Sequence, residues 1–174
     1  MSGVIVWFTG LPSSGKTRLA SRVQVRLSGE RLPCCLLDGD TVRGLIHPQP
    51  GYSGPERDDF YLTLGNLAIE LARQGLIVLV SATANRKQYR DQVRAQAKRF
   101  IEVWMNTSLD ECRLRDAKRL YAQFAVGQVK GLPGEDSVYE VPEFPEVTAT
   151  GGDDDAALRR IVQLSSSPGR ASRA

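Results

Sequence analysis

One stretch of the chain has residue types and spacing suited to binding phosphate: Gly10, Leu11, Pro12, Ser13, Ser14, Gly15, Lys16 and Thr17. It fits the pattern G-x-x-x-x-G-K-[ST] and lies between an apolar, strand-like segment and an amphipathic, helix-like one. Glycines let backbone N–H groups turn inward around phosphates, and a helix N-terminus adds a favourable field for anions. We predict that Lys16 reaches the β- and γ-phosphates of ATP and that the Thr17 hydroxyl binds Mg²⁺.

Proteins with this loop include switches and motors as well as kinases. A small GTPase would also carry Asn-Lys-x-Asp to recognise guanine. The nearest match, at residues 85–88, reads Asn-Arg-Lys-Gln and has no aspartate. The sequence therefore favours a kinase over a GTPase.

Two carboxylates, Asp38 and Asp40, follow the second apolar segment. In a parallel sheet this point faces the phosphate loop, because ligands bind beyond the carboxyl ends of the strands. One carboxylate can hold the Mg²⁺ water shell, and the other can orient or deprotonate an acceptor hydroxyl. Which aspartate has which role stays open at this point, and a turn in which Asp40 caps a helix is the simpler alternative.

Two arginines are placed to reach the same cleft. Arg43 lies three residues after Asp40, and Arg57 begins a long helix after a Pro- and Gly-rich loop. Guanidinium groups bind oxyanions in a forked geometry, so the pair suits an anionic acceptor.

The elements that position these residues alternate along the chain. Continuous apolar runs predict buried strands at 3–9, 34–37, 76–80 and 100–105. Helical spacing predicts helices at about 16–28, 56–74 (with Gly75 as its stop signal), 87–98 and 109–120, and a terminal helix from 153–155 to about 164.

This alternation predicts an α/β fold of the P-loop kinase type, a parallel sheet with helices on both faces. We expect one domain over residues 1–164 with a flexible lid at about 115–145, because 127–145 is rich in Pro and Gly. Residues 165–174 are rich in Ser, Gly and Arg and are expected to be disordered.

The composition indicates which classes of partner and which compartment suit the protein. A net charge of +3 with no concentrated basic segment predicts no nucleic-acid or membrane binding. No apolar run approaches a transmembrane span, and no basic leader precedes the first strand. Three cysteines without a C-x-x-C pair favour reduced thiols in the cytoplasm. The oligomeric state stays open, with a homodimer among the candidates.

The chain resembles the adenylylsulfate (APS) kinases, which use ATP to phosphorylate the 3′-hydroxyl of adenosine 5′-phosphosulfate. The resemblance extends from Val4 to about Thr150, and the phosphate loop alone would not specify it. It rests on an ordered set of motifs: Trp7-Phe8-Thr9 before the loop, Leu37-Asp38-Gly39-Asp40 with Val42-Arg43, Gly51-Tyr52-Ser53 before Arg57, Phe100-Ile101-Glu102-Val103, Arg115-Asp116 with Lys118, Leu120-Tyr121, and Tyr139-Glu140 with Pro142.

The resemblance implies a small-molecule acceptor, adenosine 5′-phosphosulfate, beside ATP and Mg²⁺. It implies that Asp40, Arg43 and Arg57 contact the acceptor and that Tyr52 takes the place of a phenylalanine stacking on its adenine. It places Arg115, Lys118 and Lys130 in a lid that closes over both nucleotides. Arg115 is assigned to ATP, and Lys118, Lys130 and Leu132 to the acceptor.

Several positions depart from the family pattern. An Asn and two Arg after Arg57 are replaced, a Ser-Pro pair after the third strand is missing, and a lid phenylalanine is changed. The positions are Phe60, Leu62 and Thr63, Ala84-Asn85, and Leu132. The basic set Arg86, Lys87, Arg90 and Arg94 either supplies new anion contacts or forms a solvated helix face.

The leading hypothesis is therefore an APS kinase, with Lys16, Asp38 and Asp40 as its catalytic residues. The first alternative is a kinase of the same fold that acts on another small hydroxyl compound, because acceptor positions are altered. The second is a nucleotide-binding regulator without transfer activity.

Overall fold

The computed structural model describes residues 3–116 and 118–167, in which strands and helices alternate. The strands are β1 (Val4–Thr9), β2 (Cys34–Asp38), β3 (Ile77–Ser81), β4 (Phe100–Met105) and β5 (Val147–Ala149). The helices are α1 (Lys16–Gly29), α2 (Gly39–Leu45), α3 (Gly54–Arg73), α4 (Lys87–Gln96), α5 (Leu109–Arg115), α6 (Leu120–Ala125) and α7 (Asp155–Ser166).

The five strands form one parallel sheet in the order β2-β3-β1-β4-β5. The central strand β1 is buried on both faces. Val4, Val6 and Phe8 pack toward α1 and α7, whereas Ile5 and Trp7 pack toward α3 and α4. This confirms the predicted α/β class, and it explains why β1 is apolar throughout rather than alternating.

Helix α3 begins at a capping box. The Ser53 and Glu56 side chains bond each other's backbone N–H groups, and Pro55 occupies the first turn. Gly75, with φ of +95°, follows the C-cap Gln74 and ends the helix where the sequence predicted. The start lies two residues earlier than predicted.

The single helix predicted at 109–120 is wrong, because the chain forms two short helices there. Helix α5 stops at Arg115, and Asp116 then accepts hydrogen bonds from the backbone N–H groups of Tyr121 (3.1 Å) and Ala122 (2.9 Å). The Asp116 carboxylate thus satisfies the free donors at the start of α6, which competes with continuing α5.

The C-terminal region differs from the prediction in two ways. Strand β5 was missed because it is three residues long and follows a polar, Pro-rich segment. Helix α7 continues to Ser166, so Ser165 and Ser166 belong to it rather than to a tail. Residues 168–174, the rest of the predicted disordered tail, lie outside the described residues.

Each basic residue of the set Arg86, Lys87, Arg90 and Arg94 is paired with a carboxylate, which argues against an anion site. Arg86 and Lys87 are about half exposed, so only this end of the set is a solvated face. Arg90 is 1% exposed, and its Nε lies 2.7 Å from Glu102 Oε1 on β4. The remaining pairs are Arg94 with Glu102 and Glu146, Arg86 with Asp58, and Lys87 with Glu143. These pairs join α4 to β4, to α3 and to the segment before β5.

Across 3–116 and 118–167, every helix is too short or too polar to cross a bilayer.

Candidate active site

The loop between β1 and α1 is shaped by two glycines. Gly15 has φ of +96°, in the left-handed region that side chains disfavour. A Cβ atom there would lie 2.6 Å from the Gly152 nitrogen, and one at Gly10 would lie 2.8 Å from the Met105 Cβ. Both positions therefore require glycine. Ser14 is buried, and its carbonyl accepts a hydrogen bond from Thr107 Oγ1 at 3.0 Å.

Lys16 turns back onto this loop. Its Nζ donates to the carbonyls of Leu11 (2.7 Å) and Gly10 (3.0 Å). Burial lowers the pKa of Lys16 to about 8, because loss of water penalises the charged ammonium. The site therefore favours an added anion, which would restore full protonation of this lysine.

Three side-chain oxygens meet beside the loop, on three different elements. Thr17 on α1 donates to Asp38 Oδ2 at 2.7 Å, and Ser81 Oγ at the end of β3 lies 2.9 Å from the Thr17 hydroxyl. Burial raises the pKa of Asp38, but hydrogen bonds from Thr17 and Thr41 outweigh it and hold that pKa below its usual value. Two hydroxyls and an ionised carboxylate are the hard oxygen donors that Mg²⁺ prefers, so these residues fit the ion.

The two aspartates differ in their surroundings. Asp38 also caps α2, since its Oδ1 accepts from the backbone N–H groups of Thr41 (3.1 Å) and Asp40 (3.2 Å). Asp40 is exposed and forms an ion pair with Lys118, which follows α5. Burial lowers the pKa of Lys118, but Asp40 outweighs burial and raises it overall. Asp38 thus faces the phosphate loop, and Asp40 faces the predicted lid.

Arg43 is held in an aromatic sandwich. Its guanidinium carbon lies 3.7 Å from the ring centre of Phe60 and 4.5 Å from that of Tyr52. Its NH1 group also donates to the carbonyls of Gly51 (2.6 Å) and Pro50 (3.2 Å). Arg43 is only 4% exposed. Phe60 therefore fixes an arginine that the sequence assigned to the acceptor.

Arg57 lies between Tyr52 and the segment predicted to form a lid. Its guanidinium carbon lies 5.8 Å from the Tyr52 ring centre, and its NH2 group donates to the carbonyl of Gly131. Gly131 has φ of +68°, and a Cβ atom there would lie 3.3 Å from this NH2 group. The chain at Gly131 thus approaches Arg57 closely because it carries glycine at this point.

The sequence also assigned Arg115, Lys130 and Leu132 to the lid, and these three residues have different surroundings. Arg115 lies beside Gly151, where an added Cβ would be 3.6 Å from its guanidinium nitrogens. Lys130 is exposed, whereas Leu132 is 4% exposed and packs against Cys112 and Tyr121 in a small cluster. Leu132 thus packs the segment after α6 against α5 and α6.

A cleft of about 1150 Å³ runs across the carboxyl edge of the sheet. Its volume exceeds the range of roughly 300–1,000 Å³ typical for one drug-sized ligand. It is lined by most of the predicted site residues, namely Pro12, Ser13, Gly15, Lys16, Thr17, Asp38, Asp40, Arg43, Tyr52, Arg57, Arg115, Lys118, Lys130 and Leu132. Gly10, Leu11 and Ser14 shape the loop without lining the cleft.

The cleft is also lined by residues that the sequence did not single out. They include Ser81 at the end of β3, Thr83 just after that strand, Tyr61 on α3, and Gly151 to Asp154 after β5. Ser81 and Thr83 could have been found, because they follow a buried strand at the same edge as Asp38. Tyr61 and the β5 loop carried no signal, since their approach depends on the packing of α3 and on a strand that was missed.

A glycine-rich loop between β1 and α1 opens onto a two-sided cleft in a parallel sheet of order β2-β3-β1-β4-β5. This architecture defines a P-loop kinase.

The chain belongs to the adenylylsulphate kinase family, whose sequence model matches residues 2–150. The adenylyl-sulfate kinase of Synechococcus sp. (strain JA-3-3Ab) is 43% identical over 145 residues, which cover 83% of this chain and 82% of that protein. The enzyme of Enterobacter sp. (strain 638) is 37% identical over 151 residues, with 86% and 75% covered.

A solved structure agrees in fold and family. An APS kinase of Mycobacterium tuberculosis, in complex with AMPPNP and APS, is 33% identical and superposes with a TM-score of 0.88. The match covers 95% of this chain and 99% of that one. The protein described here is thus a kinase of the same family.

Proposed function

We propose that the protein transfers the γ-phosphoryl group of ATP to the 3′-hydroxyl of adenosine 5′-phosphosulfate. One observation carries the proposal: a single cleft joins the Lys16 loop to a second face formed by Asp40, Arg43, Tyr52 and Arg57. A relative of the same fold has AMPPNP and APS bound together.

The donor nucleotide is assigned to the loop side. Backbone N–H groups of the loop and the start of α1 receive the phosphates, and Lys16 releases its two carbonyls to donate to the β- and γ-phosphates. Arg115, beside Gly151, is assigned to the same nucleotide. Thr17 and Asp38, together with Ser81, would hold Mg²⁺, which when bound neutralises phosphate charge.

The acceptor is assigned to the other face. Asp40 is the better base, because the Asp38 oxygens already serve Thr17 and the start of α2. The 3′-oxygen attacks the γ-phosphorus, the β–γ bridging bond breaks with ADP as leaving group, and the hydroxyl proton passes to the Asp40 carboxylate. Lys118, paired with Asp40, and Lys16 lie close enough to balance the charge on the transferred group.

Tyr52 and Arg57 are assigned to binding rather than chemistry. The Tyr52 ring is 59% exposed and offers a stacking surface for a base. Arg57, which touches both Tyr52 and Gly131, and exposed Lys130 would bind an anionic group and couple it to lid closure. Leu132 would contribute apolar contact from the lid.

An ADP-release assay with a panel of acceptors tests the function. We expect APS to stimulate release with one phosphorylated product per ADP, 3′-deoxy-APS to give none, and Lys16→Ala to lower kcat by about 100-fold or more. Stimulation by another alcohol but not by APS would favour the alternative kinase. Nucleotide binding without any turnover would favour the regulator.

The assembly and location stay predictions. A cytoplasmic location is our expectation, and the oligomeric state stays open with a homodimer among the candidates; an APS kinase of Thiobacillus denitrificans with 27% identity is hexameric. Light scattering of the purified protein measures the assembly directly.

A further inference from the structure

The hydroxyl of Tyr61 has an unused proton at the wall of the cleft. This phenol oxygen lies 2.9 Å from the backbone nitrogen of Ala84. The Ala84 N–H is the only donor in that contact, so the phenol accepts. Its own O–H proton is left free, because a phenol has one proton to give. Among residues 3–116 and 118–167, the structure gives this hydroxyl no second partner.

The position of this hydroxyl is fixed on two sides. The Tyr61 ring stacks on Tyr89 with centres 4.4 Å apart, and Phe60 meets its edge at 5.3 Å. Tyr61 is 8% exposed, and it lines the cleft together with Thr83 and Asn85, which flank Ala84. The ring packing therefore holds the hydroxyl in place beside the cleft, with its proton available to a bound molecule.

The surroundings of the hydroxyl belong to the acceptor face. Burial raises the pKa of Tyr61, and Arg43, Arg57 and Asp40 are close enough to influence it. The phenol therefore keeps its proton at neutral pH and remains a donor. A ligand that accepts from this fixed donor forms a hydrogen bond that an analogue without the acceptor atom cannot form, so it gains affinity.

We infer that Tyr61 is a specificity-determining residue, whose hydroxyl donates a hydrogen bond to an oxygen or nitrogen lone pair of the acceptor substrate. The contacts of Tyr61 are with Ala84, Phe60 and Tyr89, so we assign its contribution to the acceptor and not to ATP. This inference rests on the proposed function, since the acceptor is assigned to this face. A site that hydrogen-bonds its substrate also rejects analogues without the matching group.

The test is Tyr61→Phe, which keeps the ring stack and removes only the hydroxyl. We expect the KM for APS, and its Kd measured calorimetrically with Mg²⁺ and a non-hydrolysable ATP analogue, to rise about tenfold. The KM for ATP should stay within about twofold and kcat within about threefold, because the chemistry and donor site are untouched.

Tyr89→Phe is the matched control. It removes the hydrogen bond from the Tyr89 hydroxyl to Asp58 in the same stack, outside the cleft lining. We expect it to leave both KM values unchanged. An unchanged APS KM in Tyr61→Phe, equal rises for APS and ATP, or the same result from both variants would overturn the inference. Failure of the proposed function looks different, because the unmodified protein would then release no ADP in response to APS.

Discussion

Lys16 is a residue whose protonation should report nucleotide binding. Its pKa is lowered to about 8 by burial, and phosphates raise it again when they bind. At pH 8.5 about three quarters of this lysine is neutral before binding, against about a tenth at pH 7. We predict uptake of about three quarters of a proton on ATP binding at pH 8.5, measured by calorimetry in buffers of different ionisation enthalpy.

The control for this effect is Lys16→Met, which keeps an unbranched chain without the amine. The uptake at pH 8.5 should disappear in that variant. Equal proton uptake in both proteins would mean that another group titrates and that Lys16 is charged before binding.

Substitutions of Asp38 and of Asp40 should differ in their effect on the Mg²⁺ concentration that the reaction requires. Asp38 contacts Thr17 beside the loop, whereas Asp40 pairs with Lys118. We predict that Asp40→Asn lowers kcat by about 100-fold at unchanged Mg²⁺ requirement, because Asp40 is the proposed general base. Asp38→Asn should instead raise the Mg²⁺ concentration for half-maximal rate by about tenfold.

Steady-state rates over a Mg²⁺ titration measure both effects in one experiment. Thr41→Val is a useful control, because it removes the weak 3.3 Å bond from the Thr41 hydroxyl to Asp38 without removing a carboxylate. A shifted Mg²⁺ requirement in Asp40→Asn and none in Asp38→Asn would reverse the two roles.

At the scale of elements, Asp116 decides where α6 begins. Its carboxylate accepts from Tyr121 N and Ala122 N, as a helix cap does. Replacing a cap by alanine costs about 1 kcal/mol, which corresponds to roughly fivefold faster local opening. We predict that Asp116→Ala speeds amide exchange about fivefold in residues 120–125, measured by hydrogen-exchange mass spectrometry.

Ser108→Ala is the matched cap variant, because Ser108 caps the neighbouring helix α5. It should speed exchange in 109–115 and leave 120–125 unchanged. A uniform increase across both helices in either variant would show that they open as one unit.

At the scale of the whole molecule, a buried ion pair joins the segment around Glu140 to the sheet through Arg90. Arg90 meets Glu102 of β4 and donates to the carbonyls of Ala84 and Glu140. Removing one partner of a buried pair costs about 3–5 kcal/mol, because it leaves the other charge uncompensated. We predict a loss near the lower end for Arg90→Leu in urea unfolding, since Arg94 still reaches Glu102.

Arg86→Ala provides the comparison on the same helix. Arg86 and Asp58 are about half exposed, so their pair should contribute less than about 1 kcal/mol. Equal losses in the two variants would mean that the Arg90 contacts add nothing beyond a surface pair.

The success of sequence reasoning depended on how local each feature is. The loop from Gly10 to Thr17 was predictable, because its glycines and the following helix set the geometry within eight residues. The break at Asp116 was missed, although its signal is also local, because a side-chain cap competed with helical spacing. Strand β5 was missed because three residues carry almost no periodicity.

The sequence by itself determined the alternation of the first four strands with helices, the phosphate loop and the family. These follow from contiguous motifs and from apolar runs, which depend on short-range geometry and on burial. Only the tertiary structure decided that Thr17, Asp38 and Ser81 meet, that Asp40 faces Lys118, and that the Tyr61 hydroxyl reaches Ala84. Such contacts join residues that are far apart in the chain, so they depend on strand order and register, which no single segment of the sequence encodes.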